Sequence, residues 1–470
     1  MERVLIAGGG LAGSEAAWQL AERGIPVALW EMRPTHPTPA HRTNQLAELV
    51  CSNSLKSNAS GAASWLLKEE LRCCGSLLLS CADQTAVLAG TALAVDRESF
   101  AVAVTSSLEQ HPLVELRRQE LREIPIGQTL PVLIATGPLT SDALAAQLQV
   151  LTGRENLAFY DSISPIVDAE TLNMDRIFPG SRYGKGGEED YLNCSMTREE
   201  YRTFYEGLRG AEAVQAHEFE DLNYFEACLP IEELARRGVD TLRFGPMKPV
   251  GLVDPRTGRQ PYAVVQLRPE NLRFSSYNLV GFQNHLKFPE QKRILRLIPG
   301  LENAEFLRFG QIHRNTYINA PRLLQPDLSL RAAPDVFIAG QLSGVEGYVE
   351  CIATGLLAGV AMAHRARLVA QTFRCATLGS GAFTPPPRTT ALGSLVHYIT
   401  HADADNYQPA NISFDLLPPL DGLPRKLAPD RQARRKRQCN QALADLERWL
   451  SVVRSPSSVV RGQLSVVRCP

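Results

Sequence analysis

Val4-Leu5-Ile6-Ala7-Gly8-Gly9-Gly10-Leu11-Ala12-Gly13, near the start of the 470-residue chain, reads as a short apolar strand running into a glycine turn that opens a helix. That context gives a G-x-G-x-x-G match its weight, because the loop alone is a weak signal. Gly8 permits the tight turn, Gly10 lets the backbone approach a pyrophosphate, and Gly13 lets the helix pack closely on the strand. Gly9, Leu11 and Ala12 complete the candidate cradle, where a helix N-terminus offers unpaired N–H groups and partial positive charge to an anion. A second strand, Val27 to Glu31, follows the helix, so residues 3–31 form one βαβ half-unit. Glu31 stands 18 residues after Gly13, near the spacing of about 20 for a carboxylate that accepts ribose hydroxyls.

Working outward, Pro131 to Ala135 reads as a strand that ends in Thr136-Gly137-Pro138. Asp335 to Gly340 is another, running into Gly340-Gln341-Leu342-Ser343-Gly344 and then a small-residue helix from about Cys351 to Ala363. An S-adenosylmethionine or NAD site can use a similar first loop. Two later strands ending in glycine turns instead suit a long dinucleotide, and the reading is FAD. The expected fold is α/β: a Rossmann-like FAD-binding domain, of the glutathione-reductase-like flavoprotein kind, with an inserted α+β substrate domain. The expected parts are 1–160 and 326–415 for the FAD-binding domain and 161–325 for the insertion. A basic helical segment is expected over 416–450, and a disordered tail over 451–470, where Ser-Val-Val-Arg recurs at 451, 458 and 465 but Pro456 and Gly462 forbid a heptad helix.

Composition excludes several classes. With 44% hydrophobic and 21% charged residues the chain is an ordinary globular protein, and a net charge of -1 gives no overall basic field, so a nucleic-acid partner would be met by a local patch. The start lacks the pattern of a secretory signal and no apolar run reaches membrane-spanning length, so a soluble, cytoplasmic protein is expected. The ten cysteines show no Cys-x-x-Cys pairing, which predicts reduced thiols and no metal site.

Two cysteines have unusual settings. Cys51 lies in the polar stretch 34–64, within Glu48-Leu49-Val50-Cys51-Ser52-Asn53-Ser54-Leu55-Lys56-Ser57, and Cys228 lies just before Pro230 and a predicted helix. A thiol near a cation such as Lys56, or near a helix start, can become a nucleophile, while free cysteine is usually a small buried hydrophobe. Spacing alone leaves both readings open.

The run Cys51 to Ser57, the block Glu226 to Glu233, Thr241-Leu242-Arg243-Phe244-Gly245-Pro246-Met247-Lys248-Pro249, Gly281-Phe282-Gln283, Gly344-Val345-Glu346-Gly347-Tyr348 and Tyr398-Ile399-Thr400-His401-Ala402-Asp403 occur in one order. Together they resemble the folate- and FAD-dependent tRNA (uracil-5-)-methyltransferase family, TrmFO. The resemblance runs from the first residues to about Leu427. It implies methylation at C5 of a uridine in the tRNA T-loop, with methylenetetrahydrofolate as carbon donor and FAD reduced by NADH or NADPH. It also implies that Cys51 and Cys228 are the functional pair, with Gly347 among the cofactor-binding residues. Thiol addition at uracil C6 activates C5, and Cys228 is assigned that step, with Cys51 assisting near the flavin; the roles can be exchanged on sequence alone.

For the tRNA T-arm, the insertion offers cations such as Arg236, Arg243, Lys248, Arg268, Lys287, Arg293 and Arg308, interleaved with Tyr224, Phe244, Tyr262, Phe274 and Phe282. Phosphate contacts and base stacking are one reading, a charged face around an aromatic core the other. Arg434 to Arg437 form a second basic cluster. Competing functions are a flavin oxidoreductase of a small metabolite and the related flavoproteins that modify the tRNA wobble uridine, whose chains are longer.

Overall fold

The computed structural model describes residues 2–38, 40–153, 156–162, 164–184, 187, 190–214, 229–271, 273–310, 312–372, 383–420 and 431–453. Cys228, Tyr224 and all but the first three residues of the repeat tail lie outside the described residues.

The opening stretch folds into β1 (Val4–Ala7), α1 (Leu11–Ala21) and β2 (Val27–Trp30), with Glu31 one residue past the strand. They belong to a five-stranded sheet ordered Val336–Ile338, Val132–Ile134, β1, β2, Val114–Arg117, in which every pair is parallel. Val132–Ile134 and Val336–Ile338 are buried throughout, as continuous apolar strands covered on both faces should be.

The helix expected over 351–363 is longer and runs Tyr348–Thr372. Its glycines do not break it, because they are where it meets α1. A Cβ on Gly355 would come within 2.2 Å of the Ala12 carbonyl oxygen, and one on Gly359 within 2.9 Å of that of Ala16. Small residues therefore let two helix backbones approach, and α1 is enclosed between this helix and the sheet.

The inserted region has a separate core under a six-stranded antiparallel sheet ordered Ile177–Pro179, Leu192–Met196, Ala263–Pro269, Ser276–Leu279, Ile166–Asp168, Phe306–Arg308. The helix Arg198–Arg209 carries a capping box from Thr197 and Glu200 and buries Tyr201, Phe204, Tyr205 and Leu208. Asn156–Ser162 pairs antiparallel with Ile312–Ile318, so the chain leaves and re-enters the first region along one ribbon. The edge expected at 160/161 falls inside that ribbon, and the edge at 325 lies past its end; strand pairing leaves no composition shift to read.

The C-terminal helix, Arg431–Val453, buries Cys439, Ala442, Leu446, Trp449 and Leu450. Its apolar stripe packs on the first region, and Trp449 Nε1 donates to the Thr384 carbonyl at 2.9 Å. Cys73 departs from the expected reduced thiols, being disulfide-bonded; spacing along a chain does not record which sulfurs meet in space. No helix among the described residues is long and apolar enough to cross a membrane.

The polar stretch around Cys51 is held from below by Lys68, on the helix Ala63–Cys73. Its fully buried Nζ donates to the carbonyls of Leu55 (2.8 Å), Lys56 (3.3 Å) and Ser57 (2.8 Å). Burial, then repulsion from Arg72, brings its pKa down to about 7. Because the unfolded value is near 10.4, the unfolded chain binds the extra proton between about pH 7 and 10, and the stability owed to this group rises with pH across that window. Lys68→Met should lose roughly 2–4 kcal/mol at pH 8, since three carbonyls lose their donor. Urea melts at pH 7 and 9 should show the wild type gaining on the variant as pH rises.

Candidate active site

A cleft runs along the C-terminal ends of the parallel strands, where open α/β sheets place their ligands. Gly8, Gly10, Leu11, Ala12, Glu31, Gly137 and Gly340 line it, from four separate stretches of sequence. Gly9, Gly13 and Gly347 do not line it. They shape it: a Cβ on Gly13 would stand 1.9 Å from the Gly8 carbonyl oxygen, and one on Gly347 would meet Lys56 Nζ and Glu350 at 2.5 Å. The cap residue of α1, Gly10, brings no side-chain acceptor, so the first-turn N–H groups remain for an anion. This donor set fits the pyrophosphate of FAD.

Glu31 is anchored before any ribose arrives. Its Oε2 accepts from Gly9 N at 3.0 Å, and its Oε1 accepts from Arg33 N at 3.0 Å and Arg33 Nε at 2.9 Å. Burial would raise its pKa, but the hydrogen bonds and charge of Arg33 and the N–H of Gly9 outweigh it and hold the carboxyl below its usual range. Arg33 also reaches Glu48, which accepts from the N–H groups of Arg42 and Thr43 and orders the polar loop. His41 lines the cleft, and burial together with Arg33 lowers its pKa to about 4, so it is neutral at pH 7.

Cys51 sits where the two sheets meet. Its backbone N–H donates to Tyr348 Oη at 2.7 Å, and Ser52 N donates to the same oxygen at 3.1 Å. Tyr348 and Val50 line the cleft, so the thiol loop borders it. Arg97 donates to the carbonyls of Leu49 (2.7 Å) and Cys51 (3.3 Å) and pairs with Glu270. From the second sheet, Arg268 donates to Asn53 Oδ1 (2.9 Å) and Ser52 Oγ (3.2 Å), and Asn53 Nδ2 donates to the Pro269 carbonyl at 3.0 Å.

Known proteins agree with this geometry. The family model described as GIDA, glucose inhibited division protein A, matches residues 3–368. "Methylenetetrahydrofolate--tRNA-(uracil-5-)-methyltransferase TrmFO" of Koribacter versatilis is 57% identical over 454 residues, covering 96% of this chain and 98% of its own length. The protein of that name from Solibacter usitatus is 59% identical, covering 94% and 98%. The chain belongs to the TrmFO family. Its fold is also that of Aquifex aeolicus GidA, at TM-score 0.68 and 17% identity, covering 97% of this chain and 74% of that one.

Within this TrmFO chain the cations expected to meet RNA divide in two. Arg268 and Arg308 are only 7% and 8% exposed, which corrects their reading as phosphate-facing residues. Arg268 donates to Asn53 and Ser52, and Arg308 to the Ala40 carbonyl, so both turn into the junction with the first region. Arg236, Lys287 and Arg293 are on the surface but paired with Glu233, Glu212 and Glu290, and Arg243 lies over the Tyr262 ring at 3.7 Å. Phe282 is core, whereas Phe244 is 82% exposed. Sequence reasoning missed Arg33, Glu48, Arg97 and Tyr348 as site residues; Tyr348 carried a signal as the last residue of a quoted motif, and Glu48 as the first residue of the stretch around Cys51.

Proposed function

We propose that this chain transfers the one-carbon unit of methylenetetrahydrofolate to C5 of a uridine in the tRNA T-loop, taking the remaining electrons from FAD reduced by NADH or NADPH. The observation that carries the reading is identity of 57% and 59% across nearly the whole chain to two proteins bearing that activity in their names. The site supports it. A dinucleotide cleft lies beside a cysteine loop, and the reaction needs both, because the methylene carbon arrives at the formaldehyde level. Bound FAD, once reduced by NADH or NADPH, would supply the two electrons that finish a methyl group.

The chain's own residues divide the remaining work. The α1 N-terminus and Glu31 hold the dinucleotide. Cys228, which lies outside the described residues, is assigned addition to C6, giving an enolate whose C5 attacks the methylene carbon; loss of the C5 proton then expels the tetrahydrofolate nitrogen, and two-electron reduction of the resulting exocyclic methylene to a methyl group releases the thiol. Cys51 acts as a thiol near the flavin end, clamped by Tyr348, Arg97 and the Ser52–Asn53 contacts with Arg268.

The purified protein, given unmodified tRNA transcript, FAD, NADPH and methylenetetrahydrofolate labelled at the methylene carbon, should place label in a T-loop 5-methyluridine. S-adenosylmethionine in place of folate should give none. Unlabelled tRNA despite a bound, reducible flavin would leave a flavin oxidoreductase of another substrate.

A further inference from the structure

We propose that Arg308, on the edge strand Phe306–Arg308, completes with Arg97 and Arg268 a buried cationic collar that holds the Cys51 side chain as a thiolate beside the cleft. The proposal rests on the reading of Cys51 as a functional thiol. Its evidence is the charge balance of the junction. Arg33 is paired with Glu31 and Glu48, and Arg97 with Glu270. Arg268 has hydrogen-bond partners that are neutral. Among the described residues Arg308 meets no carboxylate: it donates to the Ala40 carbonyl at 3.3 Å, and its buried Nε has no acceptor.

A buried guanidinium without a counter-ion is costly, so the site needs an anion. Burial, then repulsion from Arg97, lowers the Arg308 pKa only to about 10, which leaves it charged at neutral pH. Each packed element brings a group to Cys51. The helix Arg97–Gln110 brings Arg97, the strand Ala263–Pro269 brings Arg268, the edge strand brings Arg308, and the helix Tyr348–Thr372 brings Tyr348. Burial raises the Tyr348 hydroxyl far above neutrality, so it stays protonated. Glu270, the carboxylate of this network, is already held by Arg97. The Cys51 sulfur is therefore the group that can carry the compensating negative charge, and the three cations favour it doing so. A solvent-facing phosphate is a poor alternative for a side chain that is 8% exposed.

The test is the pH dependence of Cys51 alkylation by iodoacetamide in the FAD-loaded protein, read by mass spectrometry of the Cys51 peptide. The wild-type midpoint should fall below the ordinary thiol value of about 8.5. Arg308→Gln should raise that midpoint by about one pH unit and slow alkylation at pH 7 roughly tenfold, and Arg308→Lys should recover most of the rate. A purely structural role would not move the midpoint while flavin content stays normal. Two results overturn the proposal: a wild-type midpoint at or above about 8.5, whatever the variants do, or a profile unchanged in flavin-loaded Arg308→Gln. In the second case, a raised KM for folate would make Arg308 a ligand contact instead. Methyl transfer by Cys51→Ser is scored separately, so a dispensable Cys51 would sink its assigned role without touching the collar.

Discussion

Cys228→Ala is expected to lower folate-dependent methyl transfer to tRNA by at least ~10³-fold while leaving FAD bound and reducible by NADPH. Uracil C5 is a weak nucleophile, and the reaction gains an enolate only when a thiolate adds at C6. Alanine supplies no nucleophile, and no general acid or base replaces a missing covalent bond. Flavin should be retained because the cleft residues come from the β1 turn, β2, the polar loop, and the ends of Val132–Ile134 and Val336–Ile338. The check is label from the methylene carbon on a tRNA transcript, with flavin absorbance and NADPH oxidation measured on the same preparation. Wild-type label in the variant would remove Cys228 from the chemistry. Covalent capture of tRNA carrying 5-fluorouridine separates the two thiols: Cys51→Ala should still form the adduct and Cys228→Ala should not. The opposite pattern would exchange their roles.

Gly13→Ala should empty the cleft of flavin and destabilise the fold together. The new Cβ would stand 1.9 Å from the Gly8 carbonyl oxygen, 3.1 Å from its carbon and 3.3 Å from Ile6 Cγ2. Two of these contacts are backbone, so no side chain can turn aside. The helix would have to move off the turn, but its other face is blocked where Ala12 and Ala16 meet Gly355 and Gly359. Overpacking of this kind costs roughly 1–3 kcal/mol, and the displaced turn would aim its N–H groups away from the pyrophosphate. Co-purified flavin should fall below about a tenth of the wild-type ratio, since ~1.4 kcal/mol of lost binding is already tenfold. The thermal midpoint should drop as well. A stoichiometric flavin complex with an unchanged midpoint would mean that the turn and helix are not packed as described.

The nucleotide half of the site was legible because its chemistry is local. A glycine turn between an apolar strand and an amphipathic helix, with Glu31 at the end of the next strand, needs only neighbours along the chain to be recognised. The later turns at Gly137 and Gly340 were legible for the same reason, and they line one cleft with the first. The family was legible from several motifs in order, which the identities across the chain bear out.

The cysteine half was not. The local sequence suggested Lys56 as the cation for Cys51, yet Lys56 pairs with Glu350, while the guanidiniums near the thiol come from residues 97, 268 and 308. Arg268 and Arg308 looked like surface cations for RNA because charge and spacing are the same whether a strand ends at solvent or at a domain junction. By itself, then, the sequence determined a dinucleotide-binding α/β fold, its family, and which thiols carry the interest. Only the tertiary structure decided which charges surround Cys51, because burial and counter-ions depend on elements far apart in the chain, Arg97 being 46 and Arg268 more than two hundred residues from the loop, that meet only when the chain packs.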